Sequence, residues 1–250
     1  MSLPKIAVQK YTMKLPSNGK SIDYRPFQVR EEKILMTAAE TGTEKDMQNA
    51  MIDVINSCLF GQVDARTLPS FDVEYIFLKL RARSVGEIVN LNWACDNEIV
   101  DVHGNPKPCG AANEFEVNLE ELKIEVPKDK KNNIEVGQDA NGNVIGVVMK
   151  YPTIESLTKI QPTDNDSFDT IRSIVVGCID TIYVGEEIYP AAEATVDELN
   201  EFIESIPTTK FPAIVEFFNG IPRVKTDLHL ECSSCGHKKD IHLEGIQSFF

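Results

Sequence analysis

The chain has 250 residues, 42% hydrophobic and 26% charged, which are proportions of a globular protein able to bury a core and exclude a disordered chain. Thirty-nine acidic side chains against 25 basic ones leave a net charge of −14, a field that repels phosphate backbones and anionic lipid surfaces. No run approaches the roughly 18 apolar residues of a membrane span, and Met1 to Lys10 lacks a secretory signal, so a reducing cytoplasm is expected and the six cysteines are read as free thiols or metal ligands.

Pro4, Pro16 and Pro26 break helices in the first thirty residues, Ser17-Asn18-Gly19 signals a turn, and Ile22, Tyr24 and Phe27 suit strands. Helical periodicity begins at Glu31, with Ile34, Leu35, Ala38 and Ala39 on one face, and stops at Thr41-Gly42. Met47, Ala50, Met51, Val54, Ile55 and Cys58 recur at spacings of three and four, which predicts a second helix from Glu44 to Leu59. A third follows the cap residue Ser70, from Phe71 to Arg83, and its nearly encircling apolar positions predict deep burial.

From Val85 the pattern alternates. Ile88, Val89, Leu91 and Trp93 predict a strand ending at Cys95, Phe115 to Leu119 and Leu122 to Val126 predict two more, and Asn141-Gly142 predicts a hairpin between Ile134–Gln138 and Val144–Lys150. Lys128 to Asn133 reads as a polar loop. Helices are predicted at Thr153 to Ile160 and at Ser167 to Ile179, and a small hairpin around Gly185. Thr195 and Glu198 form a capping-box pair for a helix that Pro207 stops; Pro212 opens the next, which Gly220 ends. Val224 to Leu230 and Asp240 to Leu243 alternate again around a cysteine turn. These elements sort into an α+β fold: a helical body (1–85 and 151–221) and a discontinuous, β-rich, zinc-ribbon-like module (86–150 and 222–250).

The cysteines carry the chemical signal. In Cys232-Ser233-Ser234-Cys235-Gly236 two residues separate the thiols, so one turn can present both sulfurs to a single ion at about 2.3 Å. Cys95 and Cys109 offer the other half of a site; Pro108-Cys109-Gly110 copies a knuckle ending, and His103-Gly104-Asn105-Pro106 predicts a small hairpin inserted between the two cysteines. Cys95, Cys109, Cys232 and Cys235 would then form a closed structural site for one zinc per chain. Two other readings stay open: buried thiols without metal, or a redox dithiol. His237 and His229 lie near enough to replace a cysteine, His103 and His242 read as surface residues, and Cys58 and Cys178 read as small core residues. No nucleophile elbow, phosphate-binding loop, dinucleotide fingerprint or zinc-protease motif occurs, and the acidic pairs read as solvated faces, so no catalytic residue is assigned.

Three stretches carry a family resemblance. Leu15-Pro16-Ser17-Asn18-Gly19-Lys20, then Tyr24-Arg25-Pro26-Phe27 and Arg30-Glu31-Glu32-Lys33, resembles the opening of the baseplate hub and hub-assembly proteins of T4-type contractile-tailed phages. Phe71-Asp72-Val73-Glu74-Tyr75-Ile76-Phe77-Leu78 and Leu80-Arg81-Ala82-Arg83-Ser84-Val85-Gly86-Glu87 are similar to that family's second signature, and Glu244-Gly245-Ile246-Gln247-Ser248-Phe249-Phe250 to its close. The resemblance implies a structural or assembly role in the central hub of the tail baseplate, in the infected host cytoplasm, and leaves open whether the chain stays in the virion tail baseplate or acts in assembly alone. It implies hub and tail proteins as partners, with no membrane, small-molecule substrate or catalysis. Arg25, Phe27, Arg81, Arg83, Phe249 and Phe250 are the candidate partner contacts; each also has a packing alternative, such as Arg25 paired to an acidic neighbour. A zinc-ribbon nucleic-acid regulator and a dithiol redox protein are the alternative functions.

Overall fold

The computed structural model describes residues 6–101, 103–124, 126, 132–158 and 168–245. Along the chain the elements are β1 (Tyr11–Lys14), β2 (Ser21–Tyr24), α1 (Val29–Thr41), α2 (Glu44–Cys58), α3 (Ser70–Ser84), β3 (Ile88–Ala94), β4 (Glu98–Val100), β5 (Pro106–Pro108) and β6 (Ala112–Asn118). There follow β7 (Asn133–Gln138), β8 (Val144–Met149), α4 (Ile154–Thr158), α5 (Phe168–Gly177), β9 (Ile179–Val184), β10 (Glu187–Pro190), α6 (Val196–Ser205), α7 (Phe211–Asn219), β11 (Lys225–Glu231) and β12 (Lys238–Glu244). The mixture is α+β, as the sequence predicts, with every sheet antiparallel among the described residues. Part of the predicted Lys128–Asn133 loop and the end of the predicted Thr153–Ile160 helix lie outside the described residues.

The chain divides into two compact units, 1–63 with 71–125 and 223–250, and 64–70 with 126–222. This partition differs from the sorting into a helical body and a β module. The reason is pairing: β8 bonds to β9, which draws the β7–β8 hairpin into the second unit, while α1, α2 and α3 share the first unit with the cysteine hairpins.

In the first unit the β1–β2 hairpin, α2 and α3 each bury apolar side chains. Leu15, Ile22, Ile52, Ile55, Leu59, Phe71, Ile76, Leu78 and Leu80 are at most 1% exposed. Each such burial contributes about 1.5–3 kcal/mol. The deep burial expected for α3 is present along most of its length. Polar side chains then fix how these elements meet. Ser17, in the β1–β2 turn, donates both its N–H and its hydroxyl to the buried Asp72 carboxylate of α3, at 3.0 and 2.5 Å. The Phe27 N–H donates to the Ser84 hydroxyl at 2.9 Å. Arg25 reaches Glu31 at 2.8 Å and also donates to the carbonyls of Pro26 and Ser57. Glu31 accepts the Gln28 N–H at 2.8 Å, which caps α1. Burial pushes the Glu31 carboxyl up, but Arg25, the Gln28 N–H and Arg30 outweigh it and hold the group at about 2. The first two of the stretches that carry the family resemblance are thus bonded to one another.

The strand predicted from Leu122 to Val126 is not formed among its described residues, of which Lys123 alone makes a bridge, to Lys225. Asn118 turns the chain instead, its Oδ1 accepting the Glu120 N–H at 3.0 Å while its carbonyl accepts the Glu121 N–H.

In the second unit the sheet order is β10-β9-β8-β7. Its buried cluster includes Val136, Val147, Met149, Val175, Cys178, Ile179, Ile203 and Ile214, with Phe202, Phe211 and Phe217 packed against it. The capping box of Thr195 and Glu198 forms as predicted, and Pro212 lies in the first turn of α7. The predicted helix to Ile179 ends earlier, at Gly177, because the Lys150 N–H donates to the Cys178 carbonyl and draws the next residues into β9. Gly146 lies opposite Tyr183, whose ring would stand 2.3 Å from an added Cβ, so this sheet position tolerates no side chain.

Candidate metal centre

Each cysteine pair sits at the tip of an antiparallel hairpin of the first unit: Cys232 and Cys235 between β11 and β12, Cys95 and Cys109 between β3 and β6. Strand alternation turns Val89, Leu91, Trp93, Phe115 and Val117 inward from one hairpin and Leu228, Leu230, Ile241 and Leu243 inward from the other.

The two knuckles share one backbone frame. The Cys232 N–H donates to the His237 carbonyl at 2.8 Å, and the Gly236 N–H to the Cys232 carbonyl at 2.9 Å. Correspondingly, the Cys95 N–H donates to the Ala111 carbonyl at 2.9 Å, and the Gly110 N–H to the Cys95 carbonyl at 2.9 Å. Gly236 and Gly110 take φ of 70° and 65°, the left-handed conformation in which a side chain is strained. Cys109-Gly110-Ala111 therefore stands where Cys235-Gly236-His237 stands in the shorter knuckle. The inserted residues fold as the expected hairpin: β4 pairs with β5, and the Cys109 N–H closes its base on the Asn97 carbonyl at 2.7 Å.

This shared frame brings the four Sγ atoms of Cys95, Cys109, Cys232 and Cys235 within 4.8 Å of one another. The contacts between knuckles are short, 3.7 Å for Cys95 and Cys235 and 3.9 Å for Cys109 and Cys232. Four thiolates at about 2.3 Å from one ion define a tetrahedron with edges of about 3.8 Å. The separations thus fit a single metal ion with a closed ligand set. Cys95 and Cys232 are buried, and Cys109 and Cys235 half-buried.

The surroundings divide the thiols. N–H groups of Cys235 and Ser234, with the Asn113 amide, outweigh burial and hold Cys232 down at about 6. Burial pushes Cys95 up to about 12, with the neighbouring thiols adding to it. The Cys232 thiolate is ready to start binding, whereas an ion must displace the proton of Cys95.

Two amides complete the site, and the motif reading missed both. Asn113 on β6 directs Nδ2 to the Cys232 sulfur at 3.6 Å, and Asn97 directs Nδ2 to the Cys235 sulfur at 3.7 Å. The alternation contains a signal for the first: Asn113 shares its parity with Phe115 and Val117, so it is a polar residue at an inward position.

The other sequence candidates fall elsewhere. His229 pairs with Asp240 and His242 with Asp227, each at 2.5 Å on the outward face of β11 and β12, and among the described residues the metal-type cluster consists of the four cysteines. Burial raises Cys58 to about 11 and Cys178 to about 12, in keeping with core thiols. Arg25 and Phe27 are buried, and the Arg25 guanidinium is engaged by Glu31, the acidic neighbour of its packing alternative. Arg81 is half-buried and donates to the Gly86 carbonyl at 3.3 Å; Arg83 is more open, paired with Glu120 at 3.1 Å and lying over the Tyr11 ring. Phe249 and Phe250 lie outside the described residues. Among the described residues no helix is long and apolar enough to cross a membrane.

Comparison with known proteins agrees with the resemblance read from the motifs. The family of the T4 bacteriophage base plate protein matches residues 8–250. The chain is similar to the baseplate hub assembly protein gp26 of Enterobacteria phage T4, 23% identical over 244 residues that cover 96% of this chain and 98% of the relative. No solved structure gives a significant match. By the extent of the family match, this chain belongs to the T4 bacteriophage base plate protein family.

Proposed function

We propose that the chain is an assembly protein of the phage tail baseplate hub that works by protein–protein scaffolding, with one structural zinc held by Cys95, Cys109, Cys232 and Cys235. The observation that carries the reading is the match, nearly end to end, to a baseplate hub assembly protein. Zinc is favoured because four cysteines within tetrahedral reach make a closed thiolate set with no position left for water or substrate. When bound, the ion supplies cross-linking of the two hairpins. The partners are hub and tail proteins, reached in the cytoplasm of the infected host during assembly, and the role needs no chemistry on a small molecule. Arg81, Arg83, Phe249 and Phe250 remain the proposed contacts.

Two alternatives are disfavoured by particular residues. A nucleic-acid reader would present a basic face, whereas the outward face of β11 and β12 sets Lys225, Asp227, His229 and Glu231 against Glu244, His242, Asp240 and Lys238, a balanced ladder on a chain of net charge −14. A thioredoxin-type dithiol belongs to a βαβ setting, whereas Cys232 and Cys235 join two antiparallel strands.

The test is recovery of the tagged chain from infected cells, with co-purifying proteins identified by mass spectrometry and finished virions assayed for the chain. Hub and tail proteins retained after nuclease treatment are expected. Recovery of nucleic acid in a salt-sensitive complex, with no tail protein, would contradict the proposal.

A further inference from the structure

Asn113 joins the two hairpins at a point the four cysteines do not explain. Its side chain is buried, on β6 of the Cys95–Cys109 hairpin. Its Oδ1 accepts both the N–H and the hydroxyl of Ser233, at 2.8 and 2.9 Å, and Ser233 lies inside the other knuckle. Its Nδ2 donates to the Ala111 carbonyl at 3.0 Å, is 3.5 Å from the Trp93 carbonyl, and faces the Cys232 sulfur at 3.6 Å. The amide orientation is fixed by chemistry. Turned over, NH2 would face the Ser233 N–H and the oxygen would face a carbonyl, so both ends would be repelled.

We propose that Asn113 is the positioning residue of the metal centre: a clamp whose oxygen seats the C-terminal knuckle on the N-terminal hairpin and whose NH2 steadies the Cys232 thiolate. This deepens the zinc reading and rests on it for the second half alone. The seating of Ser233 is independent of any ion. A donor aimed at a ligating sulfur disperses its charge and fixes its direction, and loss of such outer partners lowers metal affinity by about 10–100-fold in other sites. Asn97 makes the matching contact to Cys235 at 3.7 Å, so the Cys95–Cys109 hairpin supplies both amides, one to each sulfur of the other knuckle.

Asn113→Asp keeps the oxygen that receives Ser233 and removes the donor to sulfur; Asn113→Ala removes both. Full-length wild type and both variants are compared in three measurements: zinc affinity by chelator competition, thiolate-to-metal charge-transfer absorption with cobalt(II), and amide exchange of the metal-free chains. The clamp predicts a fall in zinc affinity of about 10-fold or more in both variants, with an altered cobalt spectrum. It predicts that the Ser233 amide loses protection in Asn113→Ala and keeps it in Asn113→Asp, while the Gly236 amide stays protected in both. Unchanged affinity and spectrum in Asn113→Asp would overturn the role toward the thiolate, and unchanged Ser233 protection in Asn113→Ala would overturn the seating role. If wild type binds neither zinc nor cobalt, the zinc reading fails, and Ser233 exchange alone decides the clamp. Should Asn113→Ala fail to fold, the nearly isosteric Asn113→Asp still reads the sulfur contact.

Discussion

The cysteine hairpins of the first unit and the four-stranded sheet of the second are both antiparallel, but they are held by different means. The sheet has four strands in one ladder and a buried cluster of Val, Ile, Leu and Met side chains beneath it. The hairpins are two separate two-stranded sheets, and the cluster at their tips consists of Trp93, Cys95 and Cys232 with partly buried neighbours. A lone two-stranded hairpin is marginal in water, and so small an apolar cluster adds little. Ordinary burial accounts for the sheet, whereas at the hairpin tips the proposed cross-link of four converging thiols would supply what so small a cluster does not.

The largest expected effect comes from removing that cross-link. Cys232→Ser should abolish stoichiometric zinc binding and destabilise the hairpins by about 5 kcal/mol or more, since structural zinc supplies on the order of 10 kcal/mol in small modules. Hydrogen exchange should show the loss at Leu91, Phe115, Leu228 and Ile241, with Val147 and Ile182 unchanged. The converse substitution is Met149→Ala, at a position 1% exposed. It should cost about 2–5 kcal/mol, read as lost protection in β8 and β9, while zinc content stays at wild-type level.

Glu31→Gln tests the helical part of the first unit. It leaves Arg25 buried without its counter-charge and should cost roughly 3 kcal/mol by chemical denaturation. Because the folded carboxyl is held near 2 against an ordinary value of 4.5, the wild-type advantage is present above about 4.5 and is lost as pH falls toward 2. The gap between wild type and Glu31→Gln should therefore close in acid.

The smallest effect belongs to the exposed ladder of β11 and β12. Asp240 raises the pKa of His229, so their pairing contributes fully below about 6.5 and fades as pH rises through the raised value. Asp240→Asn should lower the melting temperature slightly at pH 5.5 and match wild type at pH 8.5.

Much of this contrast was legible in the sequence, and what was hidden has identifiable causes. Periodicity located α1, α2, α3, α6 and α7, because their apolar spacings and caps are local properties. The four cysteines were legible because a C-x2-C-G turn and its interrupted copy carry their geometry in their own residues. The strand predicted after Leu122 was misread because Asn118 redirects the chain through bonds that alternation does not encode. The pairing of β8 with β9 was also hidden: strand partners are chosen by long-range register, here including the fit of Tyr183 over Gly146. Asn97 and Asn113 were missed because an amide becomes a sulfur partner only when two distant hairpins meet.

The most direct measurement is the metal content of the freshly purified, reduced chain by native mass spectrometry, beside Cys95→Ser and Cys232→Ser. One zinc per chain, lost in either variant, is the predicted result, since the two cysteines come from different hairpins. A metal-free wild-type chain whose hairpins keep full exchange protection would contradict the cross-link, and burial alone would then have to hold both regions.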